Sequence, residues 1–322
     1  MIRRWLRPSA AIICRGWHNA EFNESNGDFL TMHDSELTIT LDRFNAERYW
    51  QLIPAWASEH DQSIKDIAFT MGCVKHFKPR SMVEIGVSAG VSSGALLFAA
   101  NQAERETCLD GVDISETVYY DSTKRIGEVV DHLDPALKEC YTLYLNQTSV
   151  DVAMMKKTFD LAFIDGNHAH PWAAFDLLCI LPRLAKRAVV ICHDIHYFCP
   201  YSQGGFCLFE SVSVRKAKAG NIGCIVIDGD IEQLLEGLYR SFTMNWQDII
   251  PADSITKVIP ILQSALGSDV AKRFLSLLMS KHDEYAGSFP LYKYMRQQSW
   301  AREMETRKLV QKYKLLLADK RV

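Results

Sequence analysis

The sequence predicts an α/β fold: a doubly wound, mainly parallel sheet of six or seven strands, with helical N- and C-terminal additions. Three observations carry this expectation. Short apolar runs alternate with longer helical patterns from residue 61 to residue 230, the signature of strand–helix–strand units. Residues 81–94 (SMVEIGVSAGVSSG) pass from an apolar strand through a glycine-rich turn into a helix start. Polar or acidic residues stand at the ends of the strand-like runs, where open α/β sheets bind their ligands.

Length and composition set the bounds. A chain of 322 residues, 48% hydrophobic and 23% charged, can bury a full α/β core with room for additional helices. A net charge of −3 gives no electrostatic reason to expect a nucleic-acid partner. The nine cysteines include no C-x-x-C, which argues against a disulfide framework or zinc knuckle and for a reducing, cytoplasmic compartment. No apolar run reaches the length of a membrane span. Three regions follow: an arm and helix over 1–60, a ligand-binding domain over 61–230, and a helical region over 231–322. The opening MIRRWLRPSAAIICRGWHNA carries four arginines and no acid. It faintly resembles an organellar transit peptide, but a basic peripheral arm is the plainer expectation.

From Asp42 the pattern turns helical, with Phe44, Tyr49, Trp50, Leu52 and Ile53 as core candidates. A second helix over 61–77 aligns Ile64, Ile67, Ala68, Met71 and Val74 in one stripe. Asp61 or Ser63 caps it and Pro79 stops it. The first strand then leads into Glu84-x-Gly86-x-x-x-Gly90, which is not the dinucleotide spacing G-x-G-x-x-G and disfavours a nicotinamide dehydrogenase. Gly86 and Gly90 let backbone N–H groups approach a ligand at the helix start. The Glu84 carboxylate would repel a pyrophosphate and suits a ligand bearing an amino group or hydroxyls. Ser88 and Ser92 offer hydroxyls to its polar ends.

A second strand over 108–113 ends at Asp113, 27 residues beyond Gly86, where a carboxylate can accept hydrogen bonds from ribose hydroxyls; Asp110 lies inside the strand. A polar helix is expected next, then a third strand over 140–145 followed by Asn146, Gln147, Thr148 and Ser149, within reach of an adenine edge. The fourth strand, 159–164, ends at Asp165-Gly166-Asn167-His168, and the fifth, 188–192, at His193-Asp194-Ile195-His196. A helix from 206 to about 218 and a sixth strand at 222–227 should follow; the seventh has no clear signal. Beyond 231 the pattern is helical, interrupted by Pro251, Pro260 and residues 288–290. Residues 293–322 hold nine Lys/Arg against three Asp/Glu. A solvated helix face is expected there, with homo-oligomer contact through the C-terminal helices as the sharper reading.

The stretch at 81–94 resembles motif I of the class I methyltransferases, a Rossmann-like group. That resemblance implies S-adenosylmethionine as cofactor, with Glu84, Gly86, Ser88, Gly90, Ser92, Asp113 and Ser149 around it. Methyl transfer to a hydroxyl also needs the acceptor's proton removed, and a bound divalent cation or a nearby imidazole serves that end. Asp165 and Asp194 end two strands expected to be neighbours, so they can share a cation, for which magnesium is the natural choice. His168 would stand beside it.

DGNHAHPWAAFDL, LPRL and AVVICHDIH together resemble the metal-dependent O-methyltransferases of the macrocin and cephalosporin-cluster type. Their pattern is D-x-x-H after the fourth strand and Glu-Asp after the fifth. The resemblance covers about residues 60–230 and makes Asp165 and Asp194 metal ligands and His168 the general base. His193 stands where that group has its first acid; as a third donor it favours a softer ion such as Mn2+ or Fe2+.

The function expected is thus an S-adenosylmethionine-dependent, metal-assisted O-methyltransferase acting on a hydroxyl of a sugar, a glycan or a small polar metabolite. Two alternatives belong to other classes: a non-catalytic methyltransferase-fold assembly module, and a non-haem iron enzyme using His168, His193 and Asp194.

Overall fold

The computed structural model describes residues 37–58, 62–102, 107–196, 203–229 and 231–286. The arm at 1–36 and the basic segment at 293–322 lie outside the described residues.

The described residues open with α1 (Arg43–Trp50), α2 (Ala55–Ser58) and α3 (Ile64–Phe77). Ser63 and Asp66 form a reciprocal capping box at the start of α3, and a left-handed Lys78 ends it ahead of Pro79. Then come β1 (Ser81–Ile85), α4 (Val91–Gln102), β2 (Cys108–Asp113) and a small hairpin of β3 (Thr117–Val118) and β4 (Asp121–Arg125). A 3-10 turn precedes α5 (Pro135–Glu139), β5 (Tyr141–Leu145), α6 (Ser149–Met154), β6 (Phe159–Ile164), α7 (Trp172–Ile180) and β7 (Leu184–Cys192). The remainder is α8 (Gly204–Ser211), β8 (Lys216–Ala219), β9 (Ile222–Ile227), α9 (Ile231–Thr243), α10 (Ala252–Leu266) and α11 (Ser268–Ala286). No helix among the described residues is long and apolar enough to cross a membrane.

Among the described residues, seven strands form one sheet in the order β5-β2-β1-β6-β7-β9-β8. Neighbours from β5 to β7 pair in parallel, whereas β9 runs antiparallel to both β7 and β8. The mainly parallel sheet is as the sequence predicts, but two local expectations are corrected. The polar segment after β2 forms the β3–β4 hairpin first, and its helical part is confined to a 3-10 turn and the five-residue α5. The helix expected to run to about 218 ends at Ser211, where Val212 turns extended. Lys216 Nζ donates back to Phe209 O and Val212 O, satisfying carbonyls that a longer helix would have bonded. The chain then forms β8, so the run at 222–227 is the seventh strand, not the sixth.

The period-two alternation of the central strands divides the core between the two faces of the sheet. Val83, Ile85, Ala162, Ile164, Val190 and Cys192 face one layer, into which Phe175 of α7 and the buried stripes of α9, α10 and α11 also pack. Met82, Leu161, Phe163, Val189 and Ile191 face the other, with α1, α3 and α4. The C-terminal helices therefore pack onto the sheet beside α7, through residues such as Phe242, Leu262 and Phe274.

Candidate active site

The loop after β1 has a backbone that only small residues allow. Gly86 and Gly90 have φ of 86° and 92°. A side chain at Gly86 would meet Asp165 O at 2.4 Å, and one at Gly90 would meet Gly127 Cα at 2.9 Å. Gly86 thus brings the first loop against the loop that follows β6. Ser88, also left-handed at φ 49°, has a buried hydroxyl with no hydrogen-bond partner.

Several expected binding residues turn out to hold the loop together. Glu84 is fully buried, and its carboxylate accepts hydrogen bonds from the Ser92 and Ser93 hydroxyls at the start of α4. Asp113 Oδ2 accepts from Val87 N at 3.0 Å and Ser88 N at 3.1 Å, while Oδ1 accepts from Ser115 N at 2.8 Å. Ser149 is buried and donates to Asp176 Oδ1 at 2.6 Å. The hydroxyls of Ser92 and Ser149 therefore point at buried carboxylates. Ile114, next to Asp113, is 70% exposed, an apolar surface beside the ribose-type acid.

β6 and β7 pair in register, with Ile164 opposite Cys192, so Asp165 and His193 emerge side by side. Asp194 then adopts φ 53° and joins them. His168 Nδ1 lies 2.7 Å from Asp194 Oδ2, and its Nε2 lies 3.5 Å from Asp165 Oδ1. His193 Nδ1 lies 3.3 Å from Asp165 Oδ1 and 3.5 Å from Asp194 Oδ1, and Nε2 lies 3.8 Å from Asp66. Neither His193 nitrogen makes an aligned hydrogen bond. These contacts are therefore ion-pair approaches rather than directed bonds.

The charges in this cluster hold one another in place. Burial works against a charged His168, but hydrogen bonds to Asp165 and Asp194, with their charges, hold its pKa well above the ordinary imidazole value. At 44% side-chain exposure, water screens part of that pull. Burial likewise opposes a charged His193, and the Asp165 charge overcomes it. Burial would raise both aspartates, yet the His193 and His168 contacts hold Asp165 and Asp194 below the ordinary carboxylate range.

A shared cation needs donors turned toward a common point. Here Asp165 also accepts from Gln62 Nε2 at 3.2 Å, and Asp194 from Asn221 Nδ2 at 2.6 Å. Among the described residues, no group of three or more His, Cys, Asp or Glu side chains is arranged to hold a metal ion. In this arrangement Asp165, His193 and Asp194 are taken up by contacts with one another, with His168 and with Gln62 and Asn221. The S-adenosylmethionine expectation fares better on geometry: a glycine cradle, an orphan Ser88 hydroxyl and an acid at the next strand end are features such a ligand would use.

Gln62, Asp66 and Asn221 escaped the sequence reading. Gln62 and Asp66 lie at the start of α3, far in sequence from the strand ends. Asn221 occupies the β8–β9 turn, in a hairpin the sequence did not reveal. His170, by contrast, has a structural place. His170 is buried, its Nε2 donating to Ser241 O at 3.0 Å, and burial lowers its pKa to about 4.

No curated protein matches the chain. Among solved structures, the chain is similar to the O-methyltransferase from Bacillus cereus in complex with SAH, at 18% identity and a TM-score of 0.42, covering 57% of this chain and 90% of that one. The O-methyltransferase TomG from Streptomyces achromogenes, in complex with SAM, is similar at 14% identity and a TM-score of 0.41, covering 58% and 87%. The SAH-bound methyltransferase PaMTH1 of Podospora anserina follows at 14% and 0.39, covering 56% and 85%. The family model described as "Methyltransferase domain" matches residues 83–195, a span that runs from within β1 to just beyond Asp194. The chain carries a methyltransferase domain, and by that match it is an enzyme of the methyltransferase class.

Proposed function

We propose that this enzyme transfers the methyl group of S-adenosylmethionine to a hydroxyl of a sugar, a glycan or a small polar metabolite. The observation that carries the reading is a juxtaposition. Gly86, at the head of the cofactor-type loop, packs directly on Asp165, which lies 3.5 Å from His168. A methyl donor over the loop and an acceptor at His168 would then be neighbours.

In this reading the cofactor, when bound, supplies a methyl carbon on a positively charged sulfur. The loop backbone from Gly86 to Gly90 would lie against its methionine part, Ser88 would offer its hydroxyl, and Asp113 would accept from the ribose with its remaining lone pairs. Ile114 offers an apolar surface to the adenine. His168 Nε2 would accept the proton of the acceptor hydroxyl as its oxygen takes up the methyl group that the bound cofactor would supply. Asp194, 2.7 Å from Nδ1, would orient the ring and stabilise the imidazolium that forms. His168 must be neutral beforehand, and the carboxylates beside it oppose that, so the reaction is favoured at higher pH.

A divalent cation on Asp165, His193 and Asp194 remains an arm of the test, because an acceptor entering the cluster would displace their mutual contacts. Calorimetric titration with S-adenosylmethionine and with its demethylated product, each with and without magnesium or manganese, tests the reading. Micromolar binding of both is expected. No binding at millimolar ligand would overturn it.

A further inference from the structure

The family match ends at residue 195, yet the loop that carries His168 is held from outside it. His170 N donates to Gln247 Oε1 at 2.9 Å, and Gln247 N and Asp248 N donate back to His170 O at 2.7 and 3.0 Å. Asp248 Oδ2 accepts from Asn167 Nδ2 at 2.9 Å and from Trp172 Nε1 at 3.1 Å. The backbone and side chains on both sides of His168 are thus fixed to the connection between α9 and α10.

The same Gln247 oxygen also accepts from Gln203 N at 3.1 Å, just ahead of α8. There Gly204 N donates to His168 O at 2.8 Å, and a side chain at Gly205 would meet His193 O at 2.1 Å and Asp194 O at 2.8 Å. One nearly buried amide, 6% exposed, therefore joins the loop bearing His168 to the helix start that backs onto Asp194.

We infer that Gln247 and Asp248 are positioning residues: the C-terminal helical region serves as a clamp that sets His168 against Asp194. A buried acceptor shared by two backbone donors cannot be lost without leaving both donors unsatisfied or moving the segments that carry them. The segments carry the two halves of the His–Asp pair, so movement there changes the distance on which proton transfer depends. The catalytic importance of this clamp rests on the proposed function; the clamp itself does not.

The test is nuclear magnetic resonance of the full chain labelled in its histidine rings, with the His168 signal assigned by its loss in His168→Ala. Gln247→Ala is expected to shift or broaden the His168 ring signal while leaving unchanged that of His132, which lies in the 3-10 turn before α5. Gln247→Glu, which keeps an acceptor oxygen, should restore it. Asp248→Ala is the second variant, for use if Gln247→Ala does not fold, and should disturb the same signal. An unchanged His168 signal in a folded Gln247→Ala or Asp248→Ala protein overturns the inference, as does equal disturbance of His132. Absence of S-adenosylmethionine binding by the unmutated chain would instead overturn the proposed function and leave this result to be judged by itself.

Discussion

The Ser149 hydroxyl donates to Asp176 Oδ1 across 2.6 Å, joining the start of α6 to the interior of α7. Asp176 is 5% exposed, and burial pushes its pKa up to about 7, with the Ser149 bond only partly opposing the rise. A carboxyl raised in the folded state stabilises the fold below its unfolded pKa, and that contribution is lost as pH rises through the folded value. The shift corresponds to roughly 4 kcal/mol as an upper bound, so the melting temperature should fall between pH 4 and pH 8. Asp176→Asn should flatten that dependence and raise stability at pH 8. Thermal melts of both proteins across this range decide it, and an equal slope in the two would exclude Asp176 as its source.

Gly86 combines a positive φ with a backbone neighbour 2.4 Å from where a side chain would begin. Gly86→Val should therefore abolish S-adenosylmethionine binding by calorimetry and lower the melting temperature. Retained affinity would remove the loop from the cofactor site.

Asp113 accepts three backbone N–H bonds as well as serving the proposed ribose. Asp113→Ala should weaken cofactor binding by ~1–3 kcal/mol and destabilise the unliganded protein by a similar amount. If affinity falls but stability does not, the backbone contacts contribute little.

Proton removal by His168 predicts a cost of ~10²–10⁴-fold in rate for His168→Ala, with cofactor affinity unchanged. The acid limb of the unmutated enzyme should lie above the ordinary imidazole range, because Asp165 and Asp194 raise His168. Asp194→Asn removes one of those charges and should move that limb to lower pH while reducing turnover. Chelator treatment with magnesium or manganese add-back, applied to the unmutated and Asp165→Asn proteins, decides whether a cation takes part. A chelator-sensitive rate restored by metal would establish one.

Much of this site was legible because parallel strands deliver their carboxyl ends to one edge. Asp113 and Asp165 each closed an apolar run and Asp194 followed another with His193 between, so their places followed from strand boundaries alone, while Glu84 lay just inside the end of β1. Where their side chains would point was not legible. Ser149 reads as a free hydroxyl until α7 brings Asp176 beneath it, and Ser92 until α4 folds over Glu84. The β8 strand escaped because KAKA has alternating lysines and no β-branched residue, and its pairing is decided by β9, not by local propensity. With it went Asn221. Gln247 was invisible for a different reason: a lone amide between two helices has no periodicity, and only the packed tertiary structure sets it against His170.

The β8–β9 turn offers a handle for engineering. Because β9 runs antiparallel to β7, it is the beginning of β9 that meets the functional edge, and the tight turn at Gly220 and Asn221 reaches Asp194 from the far end of the sheet. A hairpin turn leading to an edge strand, as here from β8 to β9, tolerates insertions that central crossovers do not. A library of lengthened turns at this position would alter the surroundings of Asp194 while leaving the glycine loop and the parallel strands untouched, so acceptor selectivity in the proposed reaction can be evolved separately from cofactor affinity.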